Sequence, residues 1–306
     1  MTPNIIEAQN ITKYYDNYCA IDQLNLSIPR GKILGLLGPN GAGKTSFIRI
    51  INQITMPDSG TILFDNEPLS SKHILQIGYM PEERGLYKNM KVGEQALYLA
   101  QLKGLSKKQA QEKLDFWFNR LNINSWWDKK LSELSKGMAQ KVQFVTTVLH
   151  DPTLLIFDEP FSGFDPVNAE IIKNEILYLN EQGTSVIFSS HRMESVEELC
   201  DQIVLMNQSH KILEGNVREI KHQFKKNEFK IVFEKTDNQL FNSFQEQVEV
   251  LQKHQEGDEI SLIVKAKPNF NLLAEAMKVG QISTFSEILP SMNEVFINAV
   301  NQHSNG

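Results

Sequence analysis

The stretch KILGLLGPNGAGKTS, residues 32–46, decides the fold. After Lys32 it opens on a short apolar run, too brief for a helix, that reads as a buried strand. Then come Gly38-Pro39-Asn40-Gly41-Ala42-Gly43-Lys44-Thr45, a match to the G-x-x-x-x-G-K-[ST] phosphate loop. Glycines let backbone N–H groups converge on a phosphate chain without side-chain obstruction. A helix starting near Lys44 would point its positive end at the same charge. Lys44 is expected to reach the β- and γ-phosphates and Thr45 to offer its hydroxyl to Mg²⁺, with Ser46 beside them. With glycine at ordinary usage, a chance match in a chain of this length is on the order of one per cent. The strand before the loop and the helix after it lower that further.

A phosphate loop needs a carboxylate on a neighbouring strand, and LLIFDE, residues 154–159, supplies two. Adjacent side chains on a strand point to opposite faces, so Asp158 and Glu159 are expected to do different work. Asp158 would hold Mg²⁺, directly or through water, and Glu159 would polarise an attacking water as general base.

Outward from these motifs the chain reads as α/β. Short strands with β-branched residues come first, in IIEAQNITKYY and AIDQLNLSIPRG. Apolar residues then recur at three- and four-residue spacing over about 88–149, which predicts a helical insert. TLLIF, SVIFSS and QIVLM read as strands, the first two separated by a helix, an order that argues a parallel sheet. The first domain is expected over 1–222. The polar, basic stretch KHQFKKNEFK (221–230) reads equally as a linker or as a solvated helix face. Residues 223–306 follow as a smaller α+β accessory domain, β-α-β-β-α-β in order, the split unit of ferredoxin-like folds.

The 306 residues are 41% hydrophobic and 22% charged, an ordinary globular balance. A formal charge of -6 gives no basic excess to argue for nucleic acid as a partner. Cys19 and Cys200 stand far apart, which suggests neither a disulfide framework nor a zinc site. The longest apolar runs fall far short of the ~18 residues of a membrane span, and no secretion signal is read at the start. A soluble, cytosolic protein without a membrane span of its own is expected.

Leu134-Ser135-Lys136-Gly137-Met138 precedes the carboxylate strand and opens a helical stretch, with Ser135 placed like a cap. Here the chain resembles the ATP-binding cassette (ABC) ATPases, whose signature is Leu-Ser-Gly-Gly-Gln. The resemblance covers roughly residues 4–220. Ser162-Gly163-Phe164-Asp165 follows the carboxylates as that family's D-loop does, and His191 stands where the family senses the γ-phosphate. Tyr15, two residues after Lys13, matches the aromatic that stacks on adenine, and Tyr14 is its rival. Two positions depart from the pattern. Glu82 stands where the family usually has Gln, adding negative charge near the phosphates, and Lys136 replaces a signature glycine, adding positive charge.

The resemblance implies a P-loop NTPase cassette with a parallel sheet core, an antiparallel β subdomain, the helical insert and the small C-terminal domain. It also implies ATP and Mg²⁺ as cofactors, with Thr45, Asp158 and Glu82 around the metal. Lys44, Glu159 and His191 would act on the phosphates. Ser135 and Gly137 would face the nucleotide of a second copy, or of a related cassette, paired head to tail. A separate transmembrane permease is the implied partner, docked on the loop beyond Glu82 and the insert, about 84–99. The chain would then lie in the cytoplasm, peripheral on the inner face of the membrane. Glu82, ERGLY and the ending ILPSMNEVFINAV resemble a bacterial export-type subgroup, sodium-extrusion-like and drug-resistance-like. Rival expectations are a soluble ABC ATPase of translation or repair type and a non-hydrolysing ATP-gated scaffold. A single phosphate loop and no long heptad run disfavour the first.

Overall fold

A computed structural model of the chain describes residues 3–83, 85–190, 193–267 and 270–304. It opens on a hairpin of two long strands, β1 (Asn4–Tyr15) and β2 (Tyr18–Pro29). Asp16 in the two-residue turn takes φ 51°, a conformation that such tight hairpins demand and Asp tolerates. Next are β3 (Ile33–Leu37), α1 (Lys44–Ile51), β4 (Ser59–Phe64), β5 (Glu67–Pro68) and β6 (Ile77–Met80). The order β2-β1-β4-β5 makes one antiparallel sheet.

Three helices fill the insert: α2 (Val92–Leu102), α3 (Lys107–Arg120) and α4 (Lys136–Val148). Ser106 and Gln109 cap α3 reciprocally, and Ala110, Leu114, Trp117 and Phe118 bury one stripe of it. Of the three successive aromatics Phe116, Trp117 and Phe118, the last two are core and Phe116 is exposed.

The chain continues through β7 (Leu154–Asp158), α5 (Pro166–Glu181), β8 (Ser185–Ser189), α6 (Met193–Leu199), β9 (Gln202–Asn207) and β10 (His210–Asn216). A second sheet runs β10-β9-β3-β8-β7-β6, parallel except for β10. Every residue of β3, β7 and β8 is buried. Central strands covered on both faces carry no alternation, which is why these three read as solid apolar runs. Phe47 and Ile48 of α1 join Leu34 and Leu36 of β3 and Ile5 and Ile6 of β1 in one core. The phosphate loop is therefore anchored at both ends, by a buried strand and by a buried helix.

The remaining elements are α7 (Val217–Gln223), β11 (Glu228–Thr236), α8 (Asn238–Gln247), β12 (Glu249–Glu256), β13 (Glu259–Lys265), α9 (Leu272–Val279), β14 (Gly280–Ile288) and α10 (Met292–Ser304). The stretch 221–230 is the end of α7 and the start of β11, with 224–227 between them. Its charge serves ion pairs, Lys225 with Glu287 at 2.9 Å and Lys226 with Glu294 at 2.8 Å. The antiparallel sheet here is ordered β12-β13-β11-β14. Ile231, Phe233, Ile260, Leu262 and Val264 of the sheet share a core with Phe241 and Phe244 of α8 and Leu272 and Ala276 of α9. Two compact units result, residues 1–217 with 299–306, and residues 218–298.

Candidate functional site

At the end of β3 the backbone turns through conformations closed to other residues. Gly38 has φ 146° and Gly43 has φ 106°. A Cβ at Gly38 would meet the Met206 carbonyl oxygen at 2.2 Å, and one at Gly43 would meet that of Ala20 at 2.4 Å. Both sites require glycine on φ and on space. The loop from Asn40 to Ser46, with Tyr15, Tyr18 and Ala20, lines a cavity of about 310 Å³. Lys44 folds back on its own loop, its Nζ donating to Gly38 O at 2.6 Å and Pro39 O at 3.0 Å. Burial holds the Lys44 ammonium below the usual lysine range, while Asp158, Glu159 and Glu82 pull it upward.

Asp158 is the last residue of β7 and is buried. Burial pushes its carboxyl above the usual range, and the charges of Glu159 and Glu82 add to that against Lys44. The strand alternation expected of Asp158 and Glu159 does not apply. Glu159 lies past the strand with φ 50°, its N–H held by Ser189 O at 2.9 Å, so a turn and not the pleat separates the two carboxylates. Ser190 Oγ donates to Glu159 Oε2 at 3.3 Å. Glu82 is exposed in the bend after β6. His191 lies outside the described residues.

A hydroxyl and two carboxylates, Thr45, Asp158 and Glu82, make an all-oxygen donor set. The buried Asp158 carboxyl, lifted by neighbouring negative charge, is a group that a divalent cation would return to its ionised form. These residues fit Mg²⁺, which keeps several waters and substrate oxygens and needs few protein ligands.

Tyr15 is among the residues lining the cavity and Tyr14 is not. Tyr14 is held by its N–H to Asp58 Oδ2 at 2.6 Å, and Lys13 pairs with the same carboxylate at 3.0 Å. The Lys13 ammonium also sits 5.6 Å from the Tyr15 ring centre. Tyr18 is a residue that sequence reasoning missed. It pairs with Tyr15 across the hairpin and donates its hydroxyl to Gly41 O at 2.8 Å. The signal was there, since a Tyr-Asp-Asn-Tyr hairpin with a two-residue turn sets the tyrosines opposite each other.

Ser135, Gly137 and Asp165 lie elsewhere. They line a separate cavity of about 430 Å³ with Trp126, Lys136, Met138, Lys141, Gly163 and Asn168. Ser135 caps α4, accepting from Met138 N at 3.3 Å, and Asp165 caps α5, accepting from Asn168 N at 3.0 Å. The backbone N–H of Asn168 holds the Asp165 carboxyl below the usual range. The structure thus divides the expected site residues between two places. A third feature is an apolar groove of about 400 Å³ that includes Ile54, Leu75, Pro81, Gly85, Leu86, Leu99 and Leu102. Ile54, Leu75 and Leu102 are each at least half exposed there.

Comparison with known proteins gives the family and the fold. The family described as ABC transporter matches residues 21–162, and the family of DrrA1-3-like ATP-binding protein C-terminal domains matches residues 215–300. The uncharacterized ABC transporter ATP-binding protein YhaQ of Bacillus subtilis is 41% identical over 97% of this chain and 98% of its own length. The bacitracin transport ATP-binding protein BcrA of Enterococcus faecalis is 34% identical over 71% of this chain and 70% of its own. Among solved structures, one described as the ATP binding subunit of an ABC transporter superposes with a TM-score of 0.67 at 27% identity, covering 72% of this chain and 93% of that one.

Proposed function

Because the chain belongs to the ATP-binding proteins of ABC transporters, we propose that it binds ATP with Mg²⁺ and hydrolyses it to drive a separate membrane permease as an exporter. The chemistry is assigned to a first domain over 1–222, and residues 223–306 to an accessory module of ferredoxin-like strand order. The observation that carries the proposal is the cavity lined by residues 40–46 and Tyr15, closed at Gly38 and Gly43 to any residue but glycine, with Lys44 in the field of the Asp158, Glu159 and Glu82 carboxylates.

Tyr15 stacks on the adenine, and the N–H groups of residues 40–46 take the phosphate oxygens. Lys44 exchanges its two loop carbonyls for the β- and γ-phosphates, which gives a half-buried cation partners of opposite charge. Thr45, Asp158 and Glu82 would hold Mg²⁺, which would supply positive charge against the phosphates. Glu159 accepts a proton from a water as that water's oxygen bonds to the γ-phosphorus. The bond from that phosphorus to the β-γ bridging oxygen breaks, and ADP leaves. His191, assigned from sequence alone, completes the γ-phosphate contacts.

Ser135, Gly137 and Asp165 lie in their own cavity, and this supports a head-to-tail pair in which they close over the nucleotide of a second cassette. No helix of the described residues is long and apolar enough to cross a membrane, so the transport path is assigned to the partner. The groove bounded by Pro81, Gly85 and Leu99 supports docking of that permease, with the chain peripheral on the cytoplasmic face. Glu159→Gln tests the assignment. ATP affinity should persist while ATP turnover falls about 10²- to 10⁴-fold, the usual contribution of a general base. Unchanged turnover would remove Glu159 from the reaction.

A further inference from the structure

Pairing between β1 and β4 ends at Thr12 and Ser59. Beyond it β1 pairs with β2 alone, Lys13 with Ile21, Tyr14 with Cys19 and Tyr15 with Tyr18. Residues 13–18 are therefore the tip of a two-stranded ribbon, an arrangement of marginal stability without further ties. Asp58, ahead of β4, supplies one tie. Its carboxylate accepts the Tyr14 N–H at 2.6 Å and pairs with Lys13 at 3.0 Å, and these contacts hold it below the usual range. The Tyr18 hydroxyl supplies another by donating to Gly41 O at 2.8 Å. Among the described residues, that is the one hydrogen bond joining the tip to the phosphate loop, 38–46.

The two tyrosines of this cross-strand pair both line the cavity, and they do different work. Tyr15 has the Lys13 ammonium 5.6 Å from its ring centre and is the platform assigned to the base. Tyr18 has its hydroxyl engaged by the loop, so its ring is pinned at the far end. A nucleotide must touch the platform and the loop N–H groups at once. What the second contact adds depends on how closely the protein fixes the span between the two. The Tyr18–Gly41 bond is the strap across that span. Tyr18 is 55% exposed, so in the free chain the bond competes with water and adds little to stability.

We propose that Tyr18 is a positioning residue for the nucleotide: its hydroxyl holds the Tyr15 platform at a fixed reach from the phosphate loop. The inference rests on the nucleotide-binding reading above and adds to it a residue that acts through Tyr15. Tyr18 therefore governs the affinity for ligands that carry both a base and a phosphate chain, and not for the phosphate chain alone.

The test is calorimetric titration of the full chain in Mg²⁺, with ATP and inorganic tripolyphosphate as separate ligands. Tyr18→Phe keeps the ring and removes the donor. It should weaken ATP about three- to tenfold, the worth of one neutral hydrogen bond, and leave tripolyphosphate within about twofold of the parent. Tyr15→Ala removes the platform, so adding Tyr18→Phe to it should weaken ATP no further, a cycle that isolates the coupling of the two residues. The cycle uses ATP alone and does not depend on the strength of tripolyphosphate binding. Unchanged ATP affinity in Tyr18→Phe would overturn the positioning role. Equal losses for both ligands would overturn it as well, because the hydroxyl would then only brace the loop. So would a loss in the Tyr15→Ala background as large as in the parent. A parent that binds neither ligand would overturn the nucleotide-binding reading itself.

Discussion

Lys44 is a half-buried cation whose hydrogen bonds go to the carbonyls of Gly38 and Pro39. Carbonyls satisfy its donors without an ion pair, and a triphosphate would supply hydrogen bonds and opposite charge together. Lys44→Ala should therefore weaken ATP binding by about 2–3 kcal/mol, roughly 30- to 150-fold, measured by calorimetric titration in Mg²⁺. An unchanged affinity would contradict the role given to the loop. His150 makes a second residue-scale case, since burial lowers its pKa from 6.5 to about 4 and its Nε2 lies 3.2 Å from Ile77 O. The unfolded chain binds this proton below 6.5 and the folded chain only near 4, so stability is lost as pH falls through that window. The loss reaches up to about 3 kcal/mol. Urea midpoints at pH 7 and pH 4.5 should show it, and the drop should be smaller in His150→Gln; equal drops would assign it to other groups. At this scale the sequence was legible wherever chemistry is local. The phosphate loop and the Asp158-Glu159 pair stand where expected, but the separation of those carboxylates could not be read. It comes from the positive φ of Glu159, which follows from its hydrogen bond to β8.

Elements were legible to the extent that burial writes a period into them. The fully covered strands β3, β7 and β8 and the striped helix α3 announce themselves. The helix α10 was within reach too, since Ser291-Met292-Asn293-Glu294 is a capping box in which Glu294 N donates to Ser291 Oγ at 3.2 Å. Where elements touch, sequence falls silent. Gly93, near the start of α2, looks like a helix weakness that alanine would repair by about 1 kcal/mol. In the fold, a Cβ there would stand 2.3 Å from Trp127 Cε2, and the Trp127 ring is wedged edge-on against Phe118 at 5.4 Å. Overpacking outweighs propensity, so Gly93→Ala should destabilise by about 1–3 kcal/mol in chemical denaturation. A stabilised variant would mean that Trp127 is free to move.

At the scale of the molecule, each unit has a core of its own, one around Phe47 and Phe64 and the other around Phe233 and Phe244. The second cavity, with Ser135 and Asp165 brought together from separate helix caps, exists only because α4 and α5 start side by side, which no spacing in the sequence records. Separate cores also predict separate unfolding. A ligand stabilises only the cooperative unit that binds it, and at a hundred times Kd that amounts to about 2.7 kcal/mol. In calorimetry of Glu159→Gln with Mg²⁺, ATP should raise one transition by about 5–10 °C, as expected for a unit of some 200 residues. A second, smaller transition, from residues 218–298, should stay in place. If both transitions rose together by the same amount, the cores would be one cooperative unit, and the C-terminal unit would share in the free energy of nucleotide binding.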